Sequence, residues 1–442
     1  MALENLYAWA RAVRSPSFLN RNDVRPLNLR IEDAAEGAGL GAGGFVRLTR
    51  AAAEPSFWSA LEKAALPSDL ARKDSVYFVI TTRCNNGRAY PDENGGVRFR
   101  TCAHCLNGSG PNGASMTERE IEETVASMPF PLREIEISGG ETLMPETLPL
   151  TLHTLRLCSE RYGSNLMLSL QTNGDFLLSP RRCVETIRAL QRCGLRRLVV
   201  ASMDIYHGRG SSAQEQFEER LRHYARIRKN LKQIPSVVVK SGNFQELPDD
   251  PRVLSVHFFG ADIQNRFDGF IIEDLAPNIR AVRAGLISER DNGVRYCSRH
   301  AGARGFLGSD GDDQIAINGG YAYPCCWFTE FPLGDVRGRS VSKTLLAYTL
   351  DPLALAMHLG EPRRAVEAIE AAYPSATVRL RALADKTTAL NECSACRHFT
   401  VEYAEAMRSA NPAAYERLWQ DLTVPWNHRT DPEYNAVFAS WA

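Results

Sequence analysis

The stretch Val76-Tyr77-Phe78-Val79-Ile80-Thr81-Thr82-Arg83-Cys84 decides how the chain is read. Five consecutive apolar residues mark a strand buried on both faces, and the run ends in a polar terminus that carries a cysteine. The same form recurs downstream. Glu134–Ser138 runs into Gly139-Gly140-Glu141, Leu166–Gln171 into Thr172-Asn173-Gly174, and Arg197–Ser202 into Met203-Asp204. Ser236–Lys240 and Val253–Phe259 bring the strand candidates to six. Helical patterns lie between most of them. Thr117-Glu118-Arg119-Glu120 reads as a capping box, Pro145 and Pro180 suit early helical positions, and a further helix is expected from Gln214 to Arg228. Alternating strands and helices over about 185 residues imply an α/β fold with right-handed crossovers. Six strands fall short of an eight-fold barrel, so the expectation is a partial (β/α)6 TIM-like barrel.

Outside this region the chain reads differently. Residues 1–73 form an N-terminal extension, with amphipathic helices expected around Leu3–Val13 and Pro55–Ala65 and a Gly/Ala-rich break at Glu36–Gly44. The barrel is expected over 74–290. Over 291–442, glycine-rich loops and short strands give way to helical sequence from Leu345 onward. No repeat of 20–50 residues is present.

Composition excludes the extremes. The 442 residues are 44% hydrophobic and 24% charged, which is ordinary for a globular chain and rules out collagen-like or wholly disordered architectures. Basic and acidic residues balance at 52 each, leaving no electrostatic footprint for nucleic acid or an anionic membrane. Seven of the basic residues are lysines, so 45 are arginines. Charge interrupts Met1–Tyr7 before a signal-type apolar run can form, and no stretch approaches the ~20 apolar residues of a membrane span. The expected location is the cytoplasm, where eleven cysteines do not suggest a disulfide framework.

The cysteines fall into groups. Cys158, Cys183 and Cys193 lie in helical patterns and read as core residues. Cys102-Ala103-His104-Cys105 together with Cys84 offers three thiolates beside the strand ends. Such a set suits a 4Fe–4S cluster with one iron left open, and equally a zinc knuckle completed by His104 or a distant cysteine. The Gly139-Gly140-Glu141 and Thr172-Asn173-Gly174 termini favour the cluster. With them the sequence resembles the radical S-adenosylmethionine (SAM) superfamily over residues 74 to about 290. The resemblance implies that Cys84, Cys102 and Cys105 hold a 4Fe–4S cluster whose fourth iron is chelated by SAM. It implies that Gly139, Gly140 and Glu141 meet the SAM amino group, with Ser138 beside them in the cofactor site, and that Asn173, Ser202 and Asp204 touch SAM or substrate.

One departure stands out. The superfamily places three residues between the first two cysteines and an aromatic before the third; here 17 residues intervene and His104 takes the aromatic position. Tyr90–Phe99 reads as a hairpin with Asn94-Gly95 at its turn, which would return Cys102 to Cys84. The hairpin is expected to lie over the SAM or substrate mouth.

A second group comprises Cys297, Cys325, Cys326, Cys393 and Cys396. With Asn318-Gly319-Gly320 ahead of Cys325 and Leu333-Gly334-Asp335-Val336 after it, this region resembles the SPASM/twitch extensions that carry auxiliary clusters. Cys297, Cys325, Cys393 and Cys396 would hold one auxiliary 4Fe–4S cluster, the twitch arrangement; four thiolates would also hold a structural zinc. Cys326 reads as a buried small hydrophobe, as the ligand in place of Cys325, or as a hydrogen-atom donor in an epimerase. Asp204-Ile205-Tyr206-His207 could include a base that deprotonates substrate. The function implied is reductive cleavage of SAM to a 5′-deoxyadenosyl radical that abstracts a substrate hydrogen, with flavodoxin or ferredoxin as reductant. The substrate expected is a ribosomal peptide to be cross-linked, oxidised or epimerised. A small-molecule dehydrogenase or epimerase acting on an aminocyclitol or sugar is the alternative, and a non-catalytic zinc-binding scaffold is the alternative of another class.

Overall fold

β1 (Ser75–Thr81) matches the apolar run and is buried along its whole length. The computed structural model describes residues 3–400 apart from 21, 53, 71–74, 87, 92–96, 101, 103, 130, 203–206, 208–211, 241–247, 262–269, 274–280, 282–285, 289, 291–313, 324–332, 360–361 and 373–376. Cys297, Cys325, Cys326 and Asp204 therefore lie outside the described residues.

The other five expected strands form where the apolar runs place them: β4 (Glu134–Gly139), β5 (Met167–Thr172), β6 (Arg197–Val200), β7 (Val237–Val239) and β8 (Leu254–Ala261). The inserted segment pairs as an antiparallel hairpin, β2 (Arg88–Pro91) with β3 (Val97–Arg100), in the register Arg88↔Arg100 and Pro91↔Val97. The later strands are β9 (Phe270–Glu273), β10 (Gln314–Asn318), β11 (Tyr321–Tyr323) and β12 (Gly334–Asp335). One ten-stranded sheet runs in the order β12-β11-β10-β1-β4-β5-β6-β8-β7, with β9 on β8. β1, β4, β5 and β6 are consecutive parallel neighbours, the succession a partial barrel requires. That succession breaks at β8, which takes the place beside β6 and carries β7 and β9 on its other edge. The reason lies in length and burial. β7 has two half-buried valines and an exposed one, Val238, whereas β8 is eight residues long with Leu254, Val256 and Phe258 fully buried. On the far edge β10 pairs parallel with β1, Asn318 opposite Val79, so sequence beyond residue 313 continues the same sheet.

Helices cover the sheet. α5 (Glu118–Ser127) opens on the expected capping box: Thr117 Oγ1 accepts from the Glu120 N–H while Glu120 accepts from the Thr117 N–H. α6 (Leu148–Tyr162) starts three residues later than Pro145 suggested, with Pro149 in its first turn; Pro145 instead lies in the loop after β4. α7 (Pro180–Arg192) has Pro180 at its first position behind a Ser179 cap, and α8 (Ala213–Leu231) fills the next crossover. Cys158, Cys183 and Cys193 are buried in the core, and burial pushes the Cys158 thiol up to about 12.

The N-terminal segment is α1 (Leu3–Ala12), α2 (Leu27–Gly37), α3 (Gly44–Ala51) and α4 (Pro55–Lys63). It packs on helices from the other end of the chain: α9 (Val341–Tyr348), α10 (Pro352–His358) and α11 (Ala365–Ala372), with α12 (Thr377–Thr387) following. Fully buried Trp9 donates through its indole N–H to the Thr349 carbonyl at 2.8 Å and stacks at a tilt on Phe45. Glu367 accepts from the Leu27 N–H at the start of α2, where a carboxylate satisfies an orphan donor. No helix among the described residues is long and apolar enough to cross a membrane.

Candidate active site

Residues 82–84 continue past β1, and the segment 105–116 returns alongside them. The Thr82 N–H donates to the Ala114 carbonyl (2.8 Å), the Gly110 N–H to the Thr82 carbonyl (2.9 Å) and the Cys84 N–H to the Gly110 carbonyl (3.0 Å). The glycine-rich loop 108–113 thus serves close packing. A Cβ at Gly113 would stand 2.1 Å from the Thr82 backbone, so only glycine lets the two chains touch. This ladder carries Cys105 back to Cys84. The Cys105 N–H donates to the Cys102 carbonyl at 3.0 Å, closing the turn that holds Cys102, His104 and Cys105.

Two of the three sulfurs accept backbone hydrogen bonds. Cys84 Sγ accepts from the Asn86 N–H at 3.4 Å and Cys105 Sγ from the Ser109 N–H at 3.2 Å. Burial raises the Cys84 pKa strongly; the Asn86 N–H opposes this, while the charges of Glu141, Cys105 and Cys102 raise it further. The three thiols therefore feel one another's charge, and a cationic centre among them would reverse the balance. Among the described residues no three His, Cys, Asp or Glu side chains stand close enough to share a single metal ion. His104 meets the His207 ring edge to face, centroids 4.8 Å apart, so His207 lies against the cysteine turn.

β4 ends against the same segment. The Gly140 N–H donates to the Thr81 carbonyl (2.8 Å) and the Glu141 N–H to the Arg83 carbonyl (2.7 Å). A Cβ at Gly140 would lie 2.1 Å from the Arg83 carbonyl oxygen. The glycines are thus required for the crossing of β4 over the end of β1. The Glu141 side chain turns inward, 3% exposed. Its Oε1 accepts from the Leu143 N–H (2.9 Å) and the Thr172 hydroxyl (2.8 Å), and its Oε2 from the Asn173 N–H (2.6 Å). Burial still lifts its pKa to about 7 against these three bonds, with the Asp175 charge adding to the rise. The donors to the carboxylate are neutral, and no cation is ion-paired with it among the described residues.

Asn173 belongs to a closed ring of side chains. Its Nδ2 donates to Asn85 Oδ1 (2.7 Å), Asn85 Nδ2 donates to Asp175 Oδ2 (2.6 Å), and the Asp175 N–H donates to Asn173 Oδ1 (3.0 Å). This ring ties the residue after Cys84 to the loop after β5. Asn85 and Asp175 adjoin residues that the sequence singled out, and adjacency was the only signal for them. Ser202 is fully buried and its hydroxyl donates to the Asn173 carbonyl, so it supports the loop from behind. Glu141, Glu146, Asn173, Asp175, Asn85 and Arg182 line a cavity of about 120 Å³ at the carboxyl ends of β4 and β5. Three carboxylates face one guanidinium there, which suits a ligand with excess positive charge and one carboxylate.

Below these ends one face of the sheet is polar although buried. The Ser138 hydroxyl bonds the Tyr77 hydroxyl (2.7 Å) and donates to Gln171 Oε1 (3.0 Å), and Gln171 Nε2 donates to Glu136 (2.5 Å). Ser138 thus sits one layer beneath the cavity. Arg197 is fully buried, paired with Glu134 and bonded to Ser169. His257 bonds Ser255 at 2.8 Å; burial, then the charges of Arg197 and Lys240, push its pKa down to about 4. The alternation in Glu134-Ile135-Glu136-Ile137-Ser138 is the sequence signal for this face.

Of the second cysteine group, Cys393 and Cys396 are described. They lie three apart on a helix over 392–400, both buried and on one side of it. Asn391 caps the helix, accepting from the Ser394 N–H, and its Nδ2 donates to the Ser288 carbonyl at 2.8 Å. An antiparallel bridge joins Arg290 to Leu390, one residue ahead of the Asn391 cap. β11 ends two residues before Cys325.

No protein-family model matches the chain, and no curated protein does. Among solved structures the chain is similar to BtrN in complex with AdoMet and 2-DOIA, at 13% identity over 65% of this chain and 87% of that one, TM-score 0.34. It is also similar to native anSMEcpe with bound AdoMet and Cp18Cys peptide, at 13% identity over 77% and 98% of the two chains, TM-score 0.36. At this identity the functional assignment rests on the chain's own residues.

Proposed function

We propose that the chain is a radical SAM enzyme acting on a peptide. The observation that carries this reading is the cavity at the ends of β4 and β5: buried Glu141, ion-paired with no cation among the described residues, lines it beside the loop ladder that carries Cys84 and Cys105. SAM bears an ammonium, a sulfonium and a carboxylate, which match three carboxylates and Arg182. Cys84, Cys102 and Cys105 would hold the 4Fe–4S cluster, and the Asn86 and Ser109 N–H groups would stabilise two of the thiolates. With one electron from a flavodoxin- or ferredoxin-class reductant, the bound cluster and SAM would supply a 5′-deoxyadenosyl radical, with methionine as the other product, for removal of a substrate hydrogen.

The chain's own residues do the positioning. Glu141 offers its carboxylate to the ammonium, Gly139 and Gly140 let the backbone come close, and the Asn85–Asp175–Asn173 ring locks the cluster loop to the SAM loop. Cys297, Cys325, Cys393 and Cys396 are assigned to one auxiliary cluster, with Cys326 as a candidate hydrogen-atom donor. The inserted hairpin and the N-terminal helices supply the extra surface that a peptide substrate needs.

The test is metal analysis of anaerobically purified protein beside a Cys84/Cys102/Cys105→Ala triple variant. The expected result is a brown protein with about eight iron and eight sulfide per chain, falling to about four in the variant. Iron unchanged by the triple substitution would exclude these cysteines as ligands.

A further inference from the structure

We propose that the inserted hairpin β2–β3 docks an extended acidic peptide, with the cross-strand pair Arg88 and Arg100 as a carboxylate clamp. The inference rests on the peptide reading above and names the class of peptide. The register sets Arg88 opposite Arg100 and Tyr90 opposite Arg98. Alternation along each strand therefore puts three arginines and a tyrosine on one face of the hairpin, and an apolar set on the other. The chain as a whole has no net charge, so this face is a local concentration of one sign.

That placement disfavours the hairpin on its own. Like charges directly opposite each other across two strands weaken the pairing. Two-stranded sheets have little stability to spare, and β2 and β3 form a two-stranded sheet of their own among the described residues. A pairing rule broken in so marginal an element points to a functional site whose ligand restores the balance. The ligand that does so is a carboxylate, which accepts from two guanidinium groups at once and offsets both charges. The strands also fix the shape of the partner. Among the described residues β2 and β3 each keep an outer edge that an extended chain can join. Alternate side chains of such a chain recur about every 7 Å, the spacing of Arg98 and Arg100 along β3. The acids of the insertion, Asp92 and Glu93, lie in sequence between the strands, away from the cysteine ends. Arg88 follows Cys84 by four residues and Arg100 precedes Cys102 by two. A carboxylate held by this pair therefore brings the neighbouring peptide residues to the cysteine segment.

The experiment uses anaerobic, cluster-loaded full-length protein and two probes, a short peptide of alternating glutamate and threonine and its glutamine counterpart. Calorimetry at low and high salt compares wild type with Arg88→Gln, Arg100→Gln and, as a control, Arg226→Gln on the exposed side of α8. Hydrogen exchange over 88–100, iron content and dithionite-driven release of 5′-deoxyadenosine are followed in parallel. The glutamate peptide should bind wild type about tenfold tighter than the glutamine peptide, and each hairpin substitution should weaken it about tenfold. Salt should weaken it too, while the control, iron content and SAM cleavage stay unchanged. Exchange over 88–100 should slow when the glutamate peptide is added, and also in free Arg88→Gln, where the repulsion is relieved. Equal binding of the two peptides, binding indifferent to Arg88 and Arg100, or faster exchange in Arg88→Gln would overturn the proposal. So would substitutions that spare peptide binding but slow reduction by a flavodoxin and not by dithionite, which would give this face to a redox partner. Cluster-loaded wild type that releases no 5′-deoxyadenosine would overturn the radical SAM reading instead.

Discussion

Replacing Glu141 with glutamine separates the electrostatic cost of this carboxylate from its hydrogen bonds. The folded-state pKa is about 7 against an ordinary 4.5. Below pH 4.5 the group is protonated in both states and costs nothing. As pH rises the folded state holds its proton while the unfolded state releases it, so stability falls until the folded group also ionises near 7. At ~1.4 kcal/mol per unit the penalty is about 0.8 kcal/mol at pH 5 and about 3.3 kcal/mol at pH 8. Glutamine removes that penalty. Its oxygen can still accept from the Leu143 N–H and the Thr172 hydroxyl, but its NH2 then faces the Asn173 N–H, and that lost bond costs about 1.5–3 kcal/mol. Glu141→Gln should therefore destabilise the cofactor-free protein by about 1–2 kcal/mol at pH 5 and be neutral or slightly stabilising at pH 8. Urea unfolding at the two pH values reads the difference, about 2.5 kcal/mol. A pH-independent effect would refute the view that Glu141 is a buried charge awaiting a cation.

Gly140→Ala should prevent the close crossing of β4 over residues 81–83, since its Cβ would stand 2.1 Å from the Arg83 carbonyl oxygen; cluster loading and thermal stability should both collapse, and a stable, iron-replete variant would contradict the packing account. Excising Pro91–Val97 behind a short glycine turn should leave iron content intact while weakening peptide binding, because Cys84 and Cys105 are joined by the 82–114 ladder and not by the hairpin; loss of iron would show that the hairpin holds Cys102 in place. Asn318 is buried beside Val79 with neither end of its amide partnered among the described residues, so Asn318→Leu should stabilise the fold by about 1–3 kcal/mol in thermal unfolding, and destabilisation would mean that a bound water completes the site.

Much of this arrangement was legible in the sequence because each signal was local. An unbroken apolar run produced β1, and the hairpin expected over Tyr90–Phe99 pairs as β2 with β3. Thr117 and Glu120 announced α5. The strand-end motifs collected where a parallel sheet collects them, and Glu141 and Asn173 line one cavity. What escaped was non-local. Sequence order placed β7 beside β6, but burial of β8 on both faces decided otherwise. Nothing near Gln314 announces that β10 will pair with β1, and α2 and α3 have apolar stripes that make sense only against helices some 300 residues later. Ser138 shared a motif with the glycine pair yet points to Tyr77 and Gln171, because alternation along a strand sends neighbours to opposite faces. Asn85 and Asp175 are common surface residue types, and only their partners distinguish them.

SAM cleavage tests the central claim most directly. Anaerobically reconstituted protein, given SAM and dithionite, should release 5′-deoxyadenosine and methionine, and the Cys84/Cys102/Cys105→Ala variant should release none. A colourless wild-type protein that holds stoichiometric zinc and leaves SAM intact would contradict the account.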